Sequence, residues 1–143
     1  MTHHLRSALA GLFAVVALGP SAAVAGYVQT DLVTSATDPD LINPWGISFS
    51  PTSPFWVSDN GKGKATLYNS AGMKQGLIVS MPAGSEGITG QVFNGSSTNF
   101  NGDRFLFASE GGTIAGWRGA LGMTAEPVFS RAGAIYKGDL RTG

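Results

Sequence analysis

Cysteine is absent from this chain of 143 residues. That excludes a disulfide framework and any thiolate-bound metal. Histidine is almost absent: His3 and His4 stand alone, within the first few residues. Once an N-terminal leader is removed, no imidazole is left, which excludes Ser–His–Asp and Cys–His catalysis and histidine-bound zinc, copper or iron. Carboxylates, lysine and tyrosine remain for acid–base work. Charge is scarce too. Asp, Glu, Lys and Arg make up 13% of the sequence, and nine basic residues cancel nine acidic ones; a soluble domain usually carries about a quarter. With no basic run to displace counterions, nucleic acid is excluded as a partner.

What is present suits strands and tight turns. Glycine contributes 21 residues and proline seven, and apolar residues reach 43%, among them three Trp, three Tyr and eight Phe. This composition belongs to an all-β protein rather than to a helical bundle, which needs long Ala-, Leu-, Glu- and Lys-rich faces.

The first 25 residues read as an export signal. Arg6 precedes an apolar run at residues 8–18, Gly19-Pro20 breaks it, and Ala23-Val24-Ala25 offers small residues for cleavage before Gly26. The run is too short to span a bilayer, and nothing downstream is apolar enough to do so. The expectation is a secreted, periplasmic or cell-surface protein with no membrane span after cleavage.

The remainder contains an internal repeat. One unit covers about residues 43–82, with strands expected at 45–49, 55–59, 65–69 and 77–81. A second covers about 88–131, with strands at 89–93, 104–109, 113–117 and 127–130. The separators are rich in Gly, Asn, Ser and Pro, the residues that reverse a chain. Gly46 matches Gly90, Phe49 matches Phe93, Ser58-Asp59 matches Ser109-Glu110, and Tyr68 falls near Trp117. A third unit begins at Ala134-Ile135-Tyr136-Lys137-Gly138, and residues 27–33 read as one further strand. The spacing is that of β-propeller blades. A small antiparallel sandwich would also give eight short strands, but the matched order of motifs favours the propeller.

Two segments, residues 38–60 (DPDLINPWGISFSPTSPFWVSDN) and 105–117 (FLFASEGGTIAGW), resemble a family of exported bacterial β-propeller proteins with NHL-like repeats. The resemblance covers most of residues 27–140 and corresponds to the N-terminal part of longer members. The family pattern carries Asp where Gly111 stands. The resemblance implies a fold and a compartment, and no reaction. It leads to the expectation of an incomplete propeller: residues 26–143 supply two blades and the start of a third at 134–143. The outer faces of such a stack, lined by residues such as Trp45, Phe55, Phe105 and Phe107, should stay partly uncovered and promote self-association.

Candidate sites are few. Asp59, Asn60 and Glu110 close the second strand of each unit and are oxygen ligands of the kind calcium takes; Asp and Asn at strand ends equally serve as turn formers. Asp38, Asp40 and Asn43 form an oxygen-rich cluster without EF-hand spacing, read as a solvated loop or a weak calcium site. Residues 61–64 (GKGK) lack the spacing of a phosphate-binding loop. Trp45, Trp56 and Trp117 serve the core or stack on a sugar or peptide. No catalytic residue and no cofactor other than calcium is indicated. The leading reading is a non-enzymatic binding or interaction module, its ligand or protein partner open. The alternative is a calcium-dependent propeller hydrolase of the lactonase type using Asp59, Asn60 or Glu110, a reading by fold analogy.

Overall fold

The computed structural model describes residues 26–138. The expected leader at 1–25 and the last residues of the third unit, 139–143, lie outside the described residues. The fold is all-β: two four-stranded antiparallel sheets joined in simple up-and-down order. Sheet one comprises β1 (Pro44–Ser48), β2 (Phe55–Asp59), β3 (Lys64–Tyr68) and β4 (Lys74–Ser80). Sheet two comprises β5 (Ile88–Phe93), β6 (Phe105–Ser109), β7 (Thr113–Trp117) and β8 (Glu126–Ser130). Each expected strand is present within a few residues of its expected bounds. Two expected elements are not strands. Residues 27–33 form no β-ladder, and 134–138 are irregular. Alternating apolar residues specify a strand only where a neighbouring edge accepts their hydrogen bonds.

The two sheets follow the same local rules. Asn43 and Gly87 precede β1 and β5, and both adopt left-handed backbone, with φ of 51° and 59°. Asn and Gly are the residues that tolerate that region. The next turn in each sheet is then tied back to this point: Asn60 N–H donates to Asn43 O at 3.2 Å, and Glu110 N–H to Gly87 O at 2.9 Å. The sheets differ mainly in one loop. Residues 94–104 between β5 and β6 are longer than the β1–β2 turn and place Phe100 and Asn101 in left-handed backbone as well.

The core lies between the sheets. Trp56, Ala65, Leu67 and Val79 of sheet one meet Phe105, Phe107 and Ala115 of sheet two, with Met81, Ile88 and Ala125 around them. The Trp56 ring stacks on Phe105 with centroids 4.1 Å apart and tilts against Trp117 at 4.9 Å. Burying an aromatic ring of this size contributes a few kcal/mol. Gln91 crosses the gap: its Nε2 donates to Gly46 O at 2.8 Å and to Trp56 O at 2.7 Å. At the outer strands, Ser80 of β4 exchanges backbone hydrogen bonds with Met123 and Ala125, each at 2.9 Å.

Register fixes which way each sheet faces. Phe55 pairs with Tyr68 in sheet one as Phe105 pairs with Trp117 in sheet two, and Trp56 pairs with Leu67 as Leu106 pairs with Gly116. Cross-strand partners share a face. Phe105 points toward sheet one, whereas its counterpart Phe55 points away from sheet two. The stacking is therefore head-to-tail: like residues point in like directions, and the two sheets are not related by a facing twofold. The expectation that Phe105 and Phe107 would be left uncovered is overturned, because both are buried against Trp56. Trp45, on the first strand, and Phe55, on the face of sheet one turned away from sheet two, do remain partly exposed.

The outward face of sheet one is partly closed by residues preceding β1. Asp38 and Leu41 are buried there. Asp38 accepts hydrogen bonds from the Tyr68 hydroxyl and the Lys74 amine, both at 2.8 Å, and Asp40 pairs with Lys64 and Lys74. The solvated acidic loop expected at 38–43 is thus folded onto β3 and β4, its carboxylates matched by two lysines.

Candidate functional site

The left-handed residues before β1 and β5 decide where a polar cluster forms. By drawing the β2–β3 and β6–β7 turns back to the same rim, they bring Asn60 and Glu110 side by side. Asn60 Nδ2 donates to Glu110 Oε2 at 3.1 Å, and Asn43 Nδ2 donates to Asn60 Oδ1 at 3.0 Å. Gly87 makes room for them. A Cβ there would stand 2.5 Å from Glu110 Oε2 and 3.1 Å from Asn60 Nδ2.

Lys137 completes the cluster. Its amine forms an ion pair with Glu110 Oε1 and lies 5.5 Å from the centre of the Trp45 ring. The Lys137 ion pair, and then the Asn60 hydrogen bond, hold Glu110 below the ordinary carboxylate range. Trp45 is 45% exposed. Beside it opens a cleft of about 210 Å³ lined by Trp45, Lys137, Gly46, Gly90 and Gly138 among others. Gly138 packs on Gly90, its Cα 2.8 Å from where a Gly90 Cβ would stand, much as Thr89 and Gln91 pack on Gly46. Positions 45, 89 and 137 therefore follow one another along the same edge, even though 134–138 is not a strand.

Of the three residues singled out as calcium ligands, the structure brings together two. Asp59 is elsewhere. Pro44 pairs with Asp59 and Ile88 pairs with Ser109, so the counterpart of Asp59 is Ser109, and that of Asn60 is Glu110. The match of Ser58-Asp59 to Ser109-Glu110 was one residue out of step, and in a strand one residue reverses the face. Asp59 points into the outward face of sheet one, fully buried, with Oδ2 2.6 Å from Thr66 Oγ1. Burial pushes its pKa up to about 6. Among the described residues no three Asp, Glu, His or Cys side chains are placed to hold a metal ion. At the rim, the single carboxylate is already matched by an ammonium, and the Asn60 carbonyl oxygen by an amide. This donor set does not suit calcium, which takes six to eight oxygens.

The tryptophans also separate. Trp56 is core, and Trp117 packs on it while its Nε1 donates to Gly122 O at 2.8 Å. Trp45 alone is available to a ligand. Sequence reasoning missed Lys137 and the role of Trp45 beside it. The one signal that could have found them was the repeat itself, extended to align Gly138 with Gly90. No protein-family model matches the chain, and no curated protein matches it either.

Proposed function

We propose that this chain is an exported, non-enzymatic binding module of the β-propeller type, related to the NHL-like family its motifs resemble. Its two sheets are consecutive blades, residues 136–138 take the place of a third inner strand, and the rim around Trp45, Asn60, Glu110 and Lys137 is its binding face. The observation that carries this reading is the convergence of equivalent repeat positions on one rim: Asn60 beside Glu110, and Lys137 over Trp45. Head-to-tail stacking supports the blade assignment, because a ring of sheets requires each one to offer its neighbour the same face. A rim of turns on a rigid scaffold is where propellers place their contacts.

The test is an NMR titration of the purified chain with a panel of small amines, carboxylates, amides and monosaccharides. Shifts should concentrate at residues 43–46, 60, 87–91, 110 and 135–138. Shifts that scatter over the outer strands, or no saturable shift with any compound, would refute the reading.

A further inference from the structure

We propose that the rim recognises an ammonium group, primary or quaternary, in the place where the chain's own Lys137 amine now lies. The inference rests on the rim being the binding face and adds the chemistry of its ligand. Two opposite attractions meet at that point. The Trp45 ring offers its electron-rich face, with Lys137 Nζ 5.5 Å from the ring centre, and Glu110 offers a carboxylate. An aromatic face joined to a carboxylate is selective for cations, and ring faces suit ammonium groups in particular.

The site is built independently of Lys137. Glu110 is fixed from the other side by Asn60, itself fixed by Asn43, and the missing Cβ of Gly87 lets Glu110 and Asn60 approach. Lys137 comes from the irregular stretch 131–138. Its backbone neighbourhood is anchored: Tyr136 N–H donates to Ser109 O at 3.2 Å, and Thr89 Oγ1 donates to Tyr136 O at 2.9 Å. Its side chain is 62% exposed. An exposed ion pair of this kind is weakly held, so the amine is readily displaced. Lys137 acts as an internal stand-in that keeps the site closed to weak competitors. The cleft, about 210 Å³, is below the roughly 300–1,000 Å³ of drug-sized pockets. Glu110 is not among its lining residues, so this volume bounds the space beside Trp45 and Lys137, which has room for a small group and not for an oligosaccharide.

The test follows the NMR and tryptophan signals of the chain and of Lys137→Ala while choline, cadaverine and Nα-acetyl-lysine amide are added in separate titrations. The neutral carbon isostere of choline is the control. Lys137→Ala should bind the ammonium compounds about tenfold more tightly than the unaltered chain, because the internal competitor is gone. The isostere should not bind. Adding Glu110→Gln or Trp45→Leu to Lys137→Ala should abolish the gain while the signals of the Trp56 core stay in place. Choline binding without the lysine amide, or the reverse, distinguishes a free cation from a peptide side chain as the source. Equal binding by Lys137→Ala and the unaltered chain, or binding of the isostere as tight as that of choline, would overturn the proposal. Rim shifts from carboxylates or sugars alone would overturn the ammonium assignment and leave the rim as a binding face.

Discussion

Asp59 sits on a line of hydroxyls that has one proton too few when its carboxylate is ionised. Thr66 Oγ1 lies 2.6 Å from Asp59 Oδ2 and 3.1 Å from the Tyr68 oxygen, and Tyr68 donates to Asp38 at 2.8 Å. A threonine hydroxyl has a single proton to give. If Asp59 is protonated, it donates to Thr66, Thr66 to Tyr68 and Tyr68 to Asp38, with every proton used once. If Asp59 is ionised, the Thr66–Tyr68 contact loses its proton, and Asp59 Oδ1, buried, receives no hydrogen bond among the described residues. Burial is the largest influence and raises the Asp59 pKa, and the hydrogen bond from Thr66 offsets only part of that rise. A pKa of about 6, against an ordinary 3.8, means the folded state binds this proton more tightly than the unfolded state. Stability should then fall as pH rises from about 4 to about 6 and level off above. Asp38 behaves oppositely. Burial works to raise its pKa, but hydrogen bonds from Lys74, the Asp40 amide and Tyr68 outweigh it, so its contribution is lost only as pH drops below the ordinary carboxylate value. Asp59→Asn should raise stability at pH 7 by about 1–3 kcal/mol and flatten the slope between pH 4 and 6. Urea unfolding at a series of pH values checks this, and an unchanged slope would contradict it.

At the scale of strands and turns, most of the architecture was legible, because Asn-Gly, Pro-Thr-Ser-Pro and Gly-Gly separators punctuate short apolar runs. Register was harder to read. Ser58-Asp59 and Ser109-Glu110 look alike, and nothing local reveals that Asp59 corresponds to Ser109. The rim was less legible still, since Lys137 reaches Glu110 across 27 residues of sequence. Residues 27–33 misled because alternation alone looks the same with or without a partner edge. Gln91 shows what a single side chain does between two elements. It is the polar member of an otherwise aromatic inward row with Phe93, Phe105 and Phe107, and its amide gives both protons to carbonyls of β1 and β2. Gln91→Leu keeps the volume but strands those carbonyls, so it should cost about 1–3 kcal/mol in denaturant unfolding. A neutral result would mean that the aromatic contacts alone fix the sheets' spacing.

For the molecule as a whole, the two outward faces are unequal. Sheet one is partly closed by residues 37–43. On sheet two, Gly138 packs on β5, and Leu106 and Ala108 of β6 are buried, but toward the edge Ile114 pairs with Phe129, which is 54% exposed. In sheet one the matching pair is Ala65 and Val79, both fully buried by the neighbouring sheet. Phe129 thus occupies a position that is core in sheet one. We expect the chain to self-associate in sedimentation velocity at about 100 μM, a concentration that populates micromolar complexes. Phe129→Glu should shift it toward the monomer, and a monodisperse monomer before the change would argue against an adhesive face.

Head-to-tail order also bears on how such a protein arises. When two surfaces of one unit already fit each other, copying the encoding stretch of gene creates a matching joint with no further invention. Each copy is then free to change its turns while its flat sides stay committed. In this chain one pair of matching corners carries different groups, an amide in the first sheet and a carboxylate in the second, and they stand side by side.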